Sequence, residues 1–108
     1  MERIAILVAS SPTSTSAQEA FALVRSLAAL GHRVSLVLLE DAAVAATSPN
    51  LGVPLDLCAS VLVNGSDLTL RGFGPDSLLT PARVSTYGEI VDLMMEQTDR
   101  TLGVFSGP

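Results

Sequence analysis

The sequence predicts an α/β protein: one doubly wound layer, a mainly parallel five-stranded sheet with helices on both faces. Two observations carry this. Short continuous apolar runs such as IAILVA, RVSLVLL and ASVLVN read as strands buried on both faces of a parallel sheet. Between several of them lie segments with apolar residues three and four apart, opened by capping residues and closed by glycine. Strands alternating with helices across short loops imply right-handed crossovers and a parallel sheet.

Ile4 to Ala9 is the first strand, and SSPTSTS, Ser10 to Ser16, is a loop by its proline and hydroxyls. Ser16-Ala17-Gln18-Glu19 matches a capping box, so a helix is expected from there, with Ala17, Ala20, Phe21, Val24, Leu27 and Ala28 on its buried side. Gly31 sits where a left-handed C-terminal cap belongs. Arg33 to Leu39 is the second strand, followed by Glu40-Asp41 as the acidic opening of a short helix. Pro49, Gly52 and Pro54 impose a loop, and Ala59 to Asn64 is the third strand, with Cys58 just before it. A short helix is expected over Ser66 to Leu70, ending near Gly72, then a helical turn at Ser77 to Leu79 and a short fourth strand at Ala82 to Ser85. Thr86-Tyr87-Gly88-Glu89 repeats the capping-box pattern ahead of a helix carrying Ile90, Val91, Leu93 and Met94, and Thr101 to Phe105 closes the sheet.

With 108 residues and 48% hydrophobic content, the chain is expected to form a single domain, residues 1–108, around one core. No apolar run approaches the roughly 20 residues of a membrane-spanning helix, and Met1-Glu2-Arg3 runs straight into a strand without a basic leader. The expectation is a cytoplasmic protein with no membrane partner. A net charge of -5, no lysine and 4% aromatic residues argue against nucleic acid. One cysteine and one histidine, His32, supply neither a disulfide nor a zinc ligand set. Neither metal nor cofactor is expected.

Ligands of such sheets bind beyond the carboxyl ends of the strands. Ser10, Ser11, Thr13 and Ser14 could present hydroxyls and helix N–H groups to a small anion or a nucleotide phosphate, although an ordinary capped loop explains them more simply. Asn64, Ser66 and Asp67 follow the third strand and are the second ligand-binding candidates. Asp41 and Asp67 also fit helix N-termini. Cys58 is the strongest nucleophile by type, but it precedes its strand, and Leu57 and Ala59 offer nothing to lower its pKa. A buried apolar thiol is its simpler reading, and His32 reads as an exposed turn residue. Leu78-Leu79 and Met94-Met95 are candidates for an apolar interface.

IAILVASSP, the Gly-His turn and acidic pair within EAFALVRSLAALGHRVSLVLLEDAAVAA, VLVNGSDLTLRGF and STYGEIVDLMMEQTDRTLGVF together resemble the DsrE/DsrF/DsrH superfamily, which includes the TusD, TusC and TusB sulfur-relay subunits. The resemblance implies a small parallel α/β fold and assembly as homo- or hetero-oligomers, trimers or hexamers, with related subunits and a sulfur-carrier protein as partners. The DsrE-like and TusD-like branch takes up sulfane sulfur on a cysteine just after the third strand. Here that region reads Asn64-Gly65-Ser66-Asp67-Leu68, and an Asp-Leu ahead of Arg71-Gly72 is similar to the DsrH or TusB type. The resemblance therefore implies a structural, non-catalytic subunit that is no enzyme on its own. A persulfide carrier acting through Cys58 is the alternative within the family, and a small-anion module using Ser10 to Ser16 is the alternative outside it.

Overall fold

The computed structural model describes residues 1–104. Five parallel strands, β1 (Arg3–Val8), β2 (Arg33–Leu38), β3 (Ser60–Asn64), β4 (Ala82–Ser85) and β5 (Arg100–Val104), lie in the order β4-β3-β2-β1-β5. Three helices, α1 (Thr15–Ala29), α2 (Gly65–Leu70) and α3 (Tyr87–Glu96), join them together with 3₁₀ segments at Glu40–Thr47, Pro49–Leu51, Leu55–Leu57 and Pro75–Ser77. The expected α/β sheet with helices on both faces is what forms.

Strand alternation divides the side chains between two layers. Ile4, Ile6 and Val8 of β1, Val34, Leu36 and Leu38 of β2, and Val61 and Val63 of β3 face α1, the alanines of Glu40–Thr47 and Leu68 of α2. Phe21 and Val24 of α1 are wholly buried there, each of a size whose burial contributes roughly 1.5–3 kcal/mol. Ala42, Ala43, Ala45 and Ala46 let the 3₁₀ backbone lie close against the sheet. On the opposite face, Ala5, Leu7, Val37 and Leu62 pack beneath Ile90 and Leu93 of α3, the single helix on that side among the described residues.

The amino-end rows of that second face are mostly polar. Arg3 pairs with Arg33, and Ser35 lies between Ala5 and Ser60, while Arg83 pairs with Leu62 in the next row.

Several boundaries differ from the sequence expectation. Helix α1 starts two residues early: Ser14 is its N-cap, its hydroxyl accepting from the Ala17 N–H at 3.1 Å, and the Ser16–Glu19 box does not form. Gln18 instead donates to the carbonyls of Pro12 and Leu51. The helical turn expected at Ser77 to Leu79 falls at Pro75–Ser77, because proline favours the first turn and Leu78 leaves in extended conformation. Phe105, expected in the last strand, lies outside the described residues. Gly31 does take the left-handed conformation, φ +91°, and the Thr86–Glu89 box forms in full, with the Thr86 hydroxyl accepting from Glu89 N–H and the Glu89 carboxylate accepting from Thr86 N–H. Among the described residues no helix is long and apolar enough to cross a membrane.

Candidate functional site

Adjacent strands β3 and β4 send their chains to opposite faces of the sheet, β3 into α2 and β4 into α3. Connections that part in this way leave a crevice between the two carboxyl ends, the usual ligand position in a parallel sheet. A cleft of about 760 Å³ lies there. Asn64, Gly65, Ser66 and Thr69 form one side and Val84, Ser85, Thr86 and Tyr87 the other, with Leu68, Leu70 and Pro75 between. None of these residues is charged and none is a cysteine.

Local chemistry fixes the walls. The buried Asn64 caps α2, its Oδ1 accepting from Asp67 N–H at 3.0 Å. Gly65 is required by proximity, since a β-carbon on it would stand 2.8 Å from Cγ1 of Val84. Strand β4 is thereby packed against the first turn of α2. The capping box at Thr86 and Glu89 sets where α3 begins, and Tyr87 stands 58% exposed on the rim.

Of the residues singled out in the sequence after β3, Asn64 and Ser66 line the cleft and Asp67 does not. Asp67 turns to the neighbouring connection, where its Oδ2 accepts from the Glu40 N–H at 2.8 Å. Arg71 donates to the Asp67 carbonyl and to the carboxylate of Asp41, the latter at 2.8 Å. Neither aspartate caps its own helix as the sequence suggested; the pair ties α2 to the 3₁₀ segment through Arg71. His32 is likewise engaged rather than free in its turn, with Nδ1 accepting from Glu2 N–H at 3.0 Å.

The loop after β1 is separate from the cleft. Ser14 is committed to capping, and the hydroxyls of Ser11 and Thr13 meet at 3.3 Å. The buried Ser10 Oγ has no hydrogen-bond partner among the described residues. Cys58 sits at the amino end of β3, the far end of the strand from the cleft, half-buried against the α1-side core. Its thiol donates to the Pro54 carbonyl at 3.4 Å. Burial, reinforced by the negative charge of Asp56, pushes that thiol up to about 11, so it is protonated at neutral pH.

Sequence reasoning missed the β4 side of the cleft, Val84, Ser85, Thr86 and Tyr87. The signal was present: the second capping box marks a helix following β4, and assigning that helix to the opposite face from α2 would have placed the crevice. The interface candidates divide. Leu78 and Met94 pack against the two cores, whereas Met95 is 78% exposed.

Fold and cleft define a small parallel α/β protein with a crevice at its topological switch point and no cysteine lining it. The sequence model of the DsrE/DsrF-like family matches residues 2–102, and the chain belongs to that family. No curated protein gives a significant match to the chain.

Proposed function

We propose that the chain is a non-catalytic subunit of a sulfur-relay assembly, of the DsrH or TusB type, supporting sulfur transfer carried by another subunit's cysteine. One observation carries the reading. The cleft after β3, where the sulfur-accepting branch of the family has its cysteine, holds Asn64-Gly65-Ser66, while the chain's one thiol lies at the other end of the strand and is held protonated. A thiol rather than a thiolate is a poor sulfur acceptor.

Exposed apolar side chains supply a surface for the assembly. Tyr87, Val91 and Met95 recur every four residues along α3, a spacing that puts them on one stripe, and all three are more than half exposed. Tyr87 begins the stripe at the cleft rim, and Leu70, 79% exposed, also lines the cleft. A related subunit or further copies of the chain, forming a trimer or hexamer, would cover this surface.

Native intact-mass measurement after incubation with a persulfide donor tests the reading. The expected result is a retained oligomer without added sulfur. A gain of sulfur that disappears in Cys58→Ser would make the chain a persulfide carrier instead. A second reading, a small anion held by Ser10 to Ser16, is favoured by the unpartnered hydroxyl of Ser10 and predicts that Ser10→Ala abolishes saturable binding of inorganic phosphate at that loop.

A further inference from the structure

At the other end of the sheet, under α3, a smaller polar pocket of about 140 Å³ gathers three of the chain's six arginines, Arg3, Arg33 and Arg83. Its volume equals that of about four or five waters at the roughly 30 Å³ each occupies in the liquid. In a chain of net charge -5, such a concentration of cations calls for a counter-charge. Part of it is supplied within the protein. Arg3 pairs with Asp99 at 3.1 Å and Arg83 with Glu89 at 3.2 Å. Arg33 makes no ion pair among the described residues, and its guanidinium is left over.

The uncharged groups around it are also donor-rich. Ser35, 7% exposed, and Ser60 share one hydrogen bond, Oγ to Oγ at 2.9 Å. Two hydroxyl hydrogens and one mutual bond leave a hydrogen with no acceptor among the described residues. Gln97 adds an amide from the end of α3. The one carboxylate in the lining, Glu89, already accepts from Thr86 N–H with Oε1 and from Arg83 with Oε2. A surplus guanidinium, a spare buried hydroxyl hydrogen and a carboxylate with both oxygens already accepting are complementary to a compact group that is all acceptor.

We propose that this pocket binds a small oxyanion of the phosphate or sulfate class, with Arg33 as its principal cation and the Ser35–Ser60 pair donating from the sheet. The site lies at the amino ends of the strands, so its occupancy is independent of the cleft between β3 and β4 and of the role assigned to it.

The test is a titration of the full chain with inorganic phosphate at constant ionic strength, followed by backbone amide NMR shifts. Saturable shifts centred on Arg33, Ser35, Ser60 and Gln97 are expected. Arg33→Gln, which removes an exposed side chain without an ion-pair partner, should weaken binding about ten-fold or more while leaving the melting temperature in phosphate-free buffer unchanged. Ser35→Ala should weaken it as well. Shifts that do not saturate, that centre on Ser10 to Thr15, or that persist with the same affinity in Arg33→Gln would overturn the proposal.

Discussion

The carboxylate of Asp67 accepts the backbone N–H of Glu40 at 2.8 Å, and Glu40 is the one non-glycine residue with positive φ, +50°, among those described. A side chain from the turn after β3 thus holds the turn after β2 in a conformation that L-residues disfavour. Left-handed backbone costs such a residue about 1–2 kcal/mol, and glycine escapes this at an entropic loss of roughly 0.5–1 kcal/mol. Glu40→Gly is therefore expected to stabilise the protein by about 0.5–1 kcal/mol in urea unfolding at pH 7. Asp67→Ala should lower stability by about 1–3 kcal/mol, because a backbone N–H loses its charged acceptor.

Cys58 supplies a pH signature of its own. Its folded-state pKa is raised, to about 11, so the folded protein holds the thiol proton more tightly than the unfolded chain does. The resulting stability is fully present below the unfolded thiol pKa of about 8.5 and is lost as pH rises through the folded value. Thiolate absorbance in the folded protein should titrate near that folded value. Cys58→Ser should flatten the stability profile over the same alkaline interval, and a thiolate already present at pH 7 would contradict the buried-thiol reading.

In acid the relevant groups are Glu89 and Asp99. The Thr86 N–H, then Arg83, hold Glu89 below the usual carboxylate range, and hydrogen bonds from Arg3 do the same for Asp99. Depressed carboxylates contribute stability above their unfolded pKa values, about 4, and lose it as pH falls through the folded ones. Glu89→Gln and Asp99→Asn should each reduce the acid-limb slope of stability against pH, with their effects adding. Unchanged slopes in both variants would show these contacts to be absent in solution.

Capping at the cleft rim is testable at neutral pH. Thr86→Ala removes the acceptor for Glu89 N–H and should lower stability by about 1 kcal/mol in chemical denaturation, with Thr86→Ser retaining most of it. Because α3 begins at the cleft, amide exchange at Tyr87 and Gly88 should accelerate in the alanine variant more than exchange within β1.

The strands were legible because IAILVA, RVSLVLL and ASVLVN each have both faces buried and needed no periodicity to be recognised. Helix α3 was legible from one complete capping box. The matching letters at Ser16–Glu19 misled because Ser14, two residues earlier, is the residue whose hydroxyl meets a free helix N–H. Asn64 and Ser66 could be placed at the cleft from their position after β3, but Asp67 could not be separated from them: its destination, Glu40 N–H, lies 27 residues away in sequence and depends on β2 and β3 being neighbours. The arginine pocket was invisible for the same reason, since its residues come from four strands and one helix whose relative placement the sequence does not state.

The contact between Gly65 and Val84 constrains how this chain could acquire a cysteine in its cleft. A β-carbon at position 65 meets Cγ1 of Val84 at 2.8 Å, so Gly65→Cys alone forces the Val84 side chain or its strand to shift, whereas Val84→Ala removes the atom it meets. Ser66, exposed and on the same wall, carries no such barrier. For a cysteine to enter this cleft, position 65 therefore needs Val84 to yield as well, and position 66 does not.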